Sequence, residues 1–322
     1  MNIDRRPTIS PLLALTFGIL AVSTASIFIR YAQTDAPSLV IAAYRLTLAS
    51  LVLSPIALTR HRSELGGLNR RDLGLALLSG IFLAFHFATW ITSLEYTTVA
   101  SSVVLVTTTP LWVALLTPFT LKEPLSRWVR LGMVLALIGG IVVGLSDTCS
   151  LSGSGLSCPP IVDFLKEGAF LGDMLALLGA MMAAAYVLIG RRLRTSTSLI
   201  TYIFLVYGMA AIVLIGIMFA AGESPSGYPA TTYIWFILLA LVPQLMGHST
   251  FNWALRYLSA AYVSITLLGE PIGSTILAYF LLKETPSALK IFGAILILVG
   301  IYIASQSETR QVKLKAEQLE TL

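Results

Sequence analysis

Apolar residues run along this chain in long blocks separated by short polar stretches. Ten blocks can be marked off, at 10–29, 37–58, 73–94, 99–121, 131–145, 170–189, 199–221, 231–253, 260–282 and 288–305. A helix that crosses a bilayer needs about 17–25 apolar residues, whereas a membrane β-strand needs about 10 and alternates. The pattern therefore predicts an all-α polytopic membrane protein with ten transmembrane helices. The fifth and tenth blocks are short, and Arg130 and Lys290 near their starts can snorkel to the interface. A signal peptide is the other reading of the first block. Its apolar core is about 20 residues against the usual 7–15, and it forms one unit of an internal repeat.

That repeat relates residue n to residue n+161, half of the 322-residue length. Gly18 matches Gly179, Arg30 matches Arg191, Tyr96 matches Tyr257 and Pro110 matches Pro271. Leu121-Lys122-Glu123 matches Leu282-Lys283-Glu284, Gly132 matches Gly293 and Gly139 matches Gly300. A period of about 160 residues is far beyond the 20–50 of solenoids, so the chain is a duplicated half-molecule. Each half holds five spans, an odd number, and the second must enter the membrane from the opposite side. The expected organisation is an N-tail (1–9), a five-helix repeat (10–146), a linker (147–168), a second five-helix repeat of inverted topology (169–305) and a C-tail (306–322).

Composition agrees: 56% of residues are hydrophobic and only 11% charged, against about 25% charged in soluble domains. With the N-terminus inside, 16 Lys and Arg fall on the cytoplasmic side, among them Arg60, Arg62, Arg70, Arg71, Arg191, Arg192 and Arg194. Four fall outside: Arg30, Lys166, Lys283 and Lys290. The positive-inside rule then places both termini in the cytoplasm of a multi-pass protein, expected in a bacterial inner membrane. The net charge of +5 becomes a topology signal, and nucleic acid is not an expected partner because no basic patch is interleaved with aromatics. The linker is extracytoplasmic and carries the only two cysteines, Cys149 and Cys158. There they either close a disulfide or remain free thiols.

Ionisable groups inside a membrane are expensive, and each is a candidate functional residue. Glu270 lies in the middle of the ninth span, and in steps of four Tyr262, Thr266, Glu270 and Ser274 share one helix face. Pro271 leaves the carbonyl of Leu267 without its helical partner, and broken backbone at that depth is tolerated where it lines a cavity. Two readings of Glu270 stand: a group that binds a proton or a cationic substrate, or a neutral acid that orders the proline kink. Gln244, His248 and Asn252 form a second polar stripe on the eighth span; His86 and Trp90 lie on the third. These, with Thr109 and Thr266, are the expected substrate-binding residues, although a histidine satisfied within the core and a tryptophan that only packs are the plainer alternatives. Thr107-Thr108-Thr109-Pro110 mirrors the Glu-Pro turn, so Pro110 and Pro271 are the expected helix breaks flanking the site. Arg45 is either a counter-ion for an anionic substrate group or, the reading preferred here, a structural residue bonded to carbonyls and snorkelling outward. Gly132, Ala136, Gly140 and Gly144 form a ridge of small residues for packing within the chain or in a homodimer. No metal site or cofactor is expected.

The combination of two five-span halves with a mid-helix Pro, then Lys-Glu, then a glycine-bearing span resembles the EamA family of the drug/metabolite transporter superfamily. Here those marks are Pro110, Glu123 and Gly132–Gly139, then Pro271, Glu284 and Gly293–Gly300, with Glu270-Pro271 as a further likeness over 10–305. The resemblance implies a ten-helix fold of inverted repeats around a cavity lined mainly by spans one, three, four, six, eight and nine. It implies export or exchange of small metabolites, amino acids among them, by alternating access. An intramembrane enzyme acting on a lipid-linked substrate is the rival, and it would need a nucleophile or metal cluster that no helical spacing provides. A channel would need a charged ring or a filter sequence. No nucleotide-binding loop of the form G-x-x-x-x-G-K-[ST] occurs.

Overall fold

The computed structural model of the protein describes residues 9–96, 105–122, 125–145, 150–152, 155–157, 169–282 and 287–320, together with Pro7 and Ser102. Cys149, Cys158, Arg5, Arg6, Glu123 and Glu284 lie outside the described residues. The fold is all-helical, with one short hairpin (β1, Ser150–Ser152, and β2, Gly155–Ser157) in the linker. Among the described residues six helices are long and apolar enough to cross a membrane: Pro11–Gln33, Ser38–Arg60, Arg70–Tyr96, Phe170–Leu193, Leu199–Ala220 and Ala230–Ala254. They stand at expected spans one, two, three, six, seven and eight, and helices also occupy the other four places.

The first span is broken into α1 (Pro11–Val22) and α2 (Ala25–Gln33), followed by α3 (Ser38–Arg60), a short α4 (Arg62–Gly67), α5 (Arg70–Tyr96), α6 (Thr109–Thr120) and α7 (Arg127–Leu145). The second repeat begins with α8 (Ala169–Leu193) and α9 (Leu199–Ala220). Its eighth span runs from α10 (Ala230–Leu239) through a π-helical stretch, Ala240–His248, into α11 (Ser249–Ala254). Then follow α12 (Ala260–Thr266), a 3-10 turn (Leu267–Gly269), α13 (Glu270–Leu282) and α14 (Ala288–Glu320). The last helix continues past residue 305, where the sequence suggested a tail. Residues 306–320 are rich in Glu, Gln, Lys and Arg, which are good helix formers.

The two repeats interlock through a pseudo-two-fold relation. A Cβ added to Gly300 of α14 would lie 2.6 Å from the carbonyl oxygen of Gly132 in α7, and one added to Gly139 would lie 2.7 Å from that of Gly293. Gly132 and Gly139 are the counterparts of Gly293 and Gly300, so each glycine meets the opposite member of the other pair. Such reciprocal contact is what a two-fold axis produces. It recurs elsewhere: Gly18 faces Thr250 and Phe251, while Gly179 faces Thr89 and Trp90, which are their counterparts. The ridge of small residues is thus used within the chain, with Gly132, Ala136 and Gly139 making the contact. Gly140 turns instead toward Thr107 and Leu268.

Contacts between loops show the inversion. Glu64 of α4 accepts hydrogen bonds from Ser198 and Thr201 at the start of α9. At the same face, Arg194 beyond the end of α8 donates from Nε to the Asn252 carbonyl at 3.0 Å. At the opposite face Thr232 donates to Asp35 at 2.8 Å and Tyr44 to the Pro225 carbonyl at 2.7 Å. The loop after the second span of one repeat therefore shares its face with the loop after the first span of the other.

Candidate functional site

Four of the expected spans lose regular helical geometry near their middles, and all four breaks reach one cavity. Span one breaks at Ser23–Thr24, span four just before α6, span eight in its π-helical stretch and span nine at its 3-10 turn. Val22, Thr107, His248 and Leu267 line the same space, about 820 Å³ including its mouth. Irregular backbone at membrane depth is tolerated where it is surrounded by protein or lines a cavity, and here it lines one.

Proline chemistry explains three of the breaks. Pro243 has no N–H to donate back along the eighth span, and the helix widens around it. Pro110 cannot donate to the Val106 carbonyl, and the Thr109 hydroxyl supplies that bond at 2.8 Å. The Leu105 carbonyl accepts both the backbone N–H of Thr108, at 3.1 Å, and its hydroxyl, at 2.6 Å. In the second repeat the carbonyl of Leu267, freed by Pro271, accepts the backbone N–H of Glu270 and closes the 3-10 turn. The kink is thus satisfied by Glu270's backbone, and its carboxyl group is left to line the cavity. Among the described hydrogen bonds, Glu270 takes part only through its backbone: its N–H donates to Leu267 and its carbonyl accepts from Ser23 at 3.2 Å.

The aromatic wall is built around Phe87. Its ring stands 6.4 Å from Trp90 and 5.3 Å from His248, and the Arg45 guanidinium carbon lies 4.1 Å from its centroid. His86 stacks on Trp90 at 5.9 Å and donates from Nδ1 to the Gly179 carbonyl at 3.0 Å. In the neutral ring that bond fixes the tautomer and leaves Nε2 as an acceptor. The counterpart of His86 is Gly247, which lies against Val22 and the Gly18 carbonyl. One face of the pseudo-dyad carries an imidazole where the other brings backbones together.

Seven of the expected residues line the cavity: His86, Trp90, Thr109, Pro110, His248, Asn252 and Glu270. Three lie elsewhere. Gln244 is fully buried behind the wall and accepts from Arg45 Nε at 2.8 Å. Thr266 is buried with its hydroxyl bonded to Val263 of its own helix, and Pro271 lies behind the break. The reason is helical phase. A π turn takes more residues than an α turn, and a 3-10 turn fewer, so steps of four across either no longer keep to one face. Arg45 departs from the favoured expectation: it does not snorkel outward but is fully buried and lines the cavity.

Residues without a sequence signal complete the site. Asn252 donates to the Tyr186 hydroxyl at 2.5 Å and approaches that of Tyr207 at 3.4 Å, which in turn bonds Ser249 at 3.2 Å. Both tyrosines are buried, and each resembles any interfacial aromatic when read along the chain. Arg45 and Glu270 are the two formally charged side chains of the lining, and no ion pair within 4 Å joins them among the described residues. Among those residues no group of three His, Cys, Asp or Glu side chains is placed to hold a metal ion.

A family model settles the broad identity, because the model of the EamA-like transporter family matches residues 9–145 and again 170–306. The chain belongs to the EamA-like transporter family. The two matches coincide with the two inverted repeats, and membership makes the protein a transporter rather than an enzyme. Relatives of the chain include an uncharacterized transporter of Archaeoglobus fulgidus, 24% identical over 92% of this chain and 97% of its own. The pseudopaline exporter CntI of Pseudomonas aeruginosa is 22% identical over 75% of this chain and 78% of its own. One crystal structure superposes with a TM-score of 0.73 over 94% of this chain and 98% of its own, at 17% identity, a likeness of fold alone.

Proposed function

We propose that this EamA-family protein exports or exchanges small organic metabolites, amino acids among the candidate classes, across a bacterial inner membrane with both termini in the cytoplasm. The observation that carries the reading is the cavity at the meeting of the repeats, into which four broken helices and one carboxylate converge. Alternating access follows from rocking one repeat against the other around this site. The cross-repeat bonds at the two faces, Glu64 with Ser198 and Asp35 with Thr232, act as the closures of each face. Glu270 carries the coupling proton or a cationic substrate group, because its carboxylate faces the cavity and its kink does not depend on it.

Orientation rests on the 16 to 4 distribution of Lys and Arg between the two sides. A relative named as an exporter supports the outward direction of transport. The test is expression in cells challenged with toxic analogues of amino acids, nucleosides and sugars. Resistance with the analogue recovered unmodified outside supports export. Unchanged sensitivity to every class removes the reading.

A further inference from the structure

The helix breaks explain the shape of the cavity but not the guanidinium inside it. Arg45 is the one residue that α3 contributes to the lining. A charged side chain with no surface exposure carries a desolvation penalty that is offset only where its donors are met. Gln244 meets Nε, and Phe87 lies under the guanidinium plane, but Nη1 has no hydrogen-bond partner among the described residues. Trp90 is in the same condition. It is 7% exposed, lines the same cavity and has no partner for its indole N–H among the described residues. Both groups pack against the ring of Phe87. Two unmatched donors, one of them cationic, thus flank one aromatic ring.

We infer that Arg45 and Trp90 together receive a carboxylate of the transported molecule, which makes a carboxylate-bearing metabolite the substrate class. A carboxylate is a planar acceptor with a single charge and bonds strongly to a guanidinium and an N–H. A phosphate monoester fits less well. It brings nearly two charges and three acceptor oxygens, whereas Nε of Arg45 is already engaged and a second carboxylate, Glu270, shares the cavity. The same arrangement allows an amine on the substrate to lie toward Glu270. Arg45 has valine at its repeat counterpart, Val206, so this anion pole exists on one side of the pseudo-dyad only.

The inference rests on the transport reading, and its test separates the two. Protein in liposomes is assayed with a panel of amino acids and simple monocarboxylates, each paired with its carboxamide, plus nucleosides and sugars. The expected result is transport of at least one carboxylate with its amide about tenfold or more weaker. Arg45→Gln should abolish that preference and Arg45→Lys should retain part of it. Trp90→Phe, which keeps an aromatic ring and loses the N–H, should weaken the carboxylate several-fold and narrow the gap between acid and amide. The Trp90 variant and the wild-type preference stand even if Arg45→Gln does not fold. Equal transport of acid and amide, or of a carboxyl-free compound in preference, overturns the anion pole while leaving the transporter in place. A preference that survives in folded Arg45→Gln assigns Arg45 to a fixed counter-charge and also overturns it. Transport of nothing in the panel removes both readings.

Discussion

Gly132 and Gly300 meet backbone to backbone, so closely that a Cβ on Gly300 would lie 2.6 Å from the Gly132 carbonyl oxygen. Their counterparts Gly293 and Gly139 repeat the contact about two turns along the same helix pair. The pair α7 and α14 is therefore a two-fold seam that holds the repeats together beside the cavity.

Filling that seam should destabilise the protein. Gly300→Ala or Gly132→Ala forces the helices apart, at about 1–3 kcal/mol each. Gly216→Ala is the control, since nothing lies within 4 Å of its added Cβ. Thermal unfolding in detergent should show a clear drop for the first two and none for the third.

Gln244 should act through Arg45. Gln244→Leu removes the acceptor of a buried charged hydrogen bond, worth about 1.5–3 kcal/mol. Lower thermal stability should come with weaker binding of carboxylate substrates, and Gln244→Glu should restore the bond but weaken carboxylate binding through its added charge. Wild-type substrate affinity in Gln244→Leu would separate this residue from the site.

Glu64 should make stability depend on pH. Its partial burial raises its pKa, but hydrogen bonds from Ser198, Thr201 and His61 outweigh this and hold it below the ordinary value of 4.5. A carboxylate with a folded pKa below its unfolded one adds stability that is complete above the ordinary value. That stability is lost as pH falls from there through the folded value. Glu64→Gln should therefore unfold earlier than wild type at neutral pH, by about 1 kcal/mol for weakened hydrogen bonds, and the gap should narrow in acid. A gap that stays constant into acid contradicts the assignment.

Most of the fold was legible in the sequence because two independent regularities agree: apolar blocks of spanning length and a constant offset between copies. Glu270, His86 and His248 stood out because ionisable groups are rare in such blocks. The burial of Arg45 was not legible because its partners lie on other spans: Gln244 is 199 positions away and Phe87 is not polar. Thr266 and Gln244 leave the predicted stripes because steps of four assume an α-helix, whereas the chain is π at Gln244 and turns 3-10 immediately after Thr266. Tyr186 and Tyr207 carry no local mark, since only their cross-span bonds to Asn252 distinguish them from tyrosines that simply pack.

The most direct test of coupling through the cavity carboxylate is transport driven by an imposed pH gradient in liposomes, wild type against Glu270→Gln. Wild type should accumulate substrate against its gradient, and Glu270→Gln should exchange substrate without being driven by protons. A Glu270→Gln protein that is driven by the gradient as fast as wild type contradicts the account.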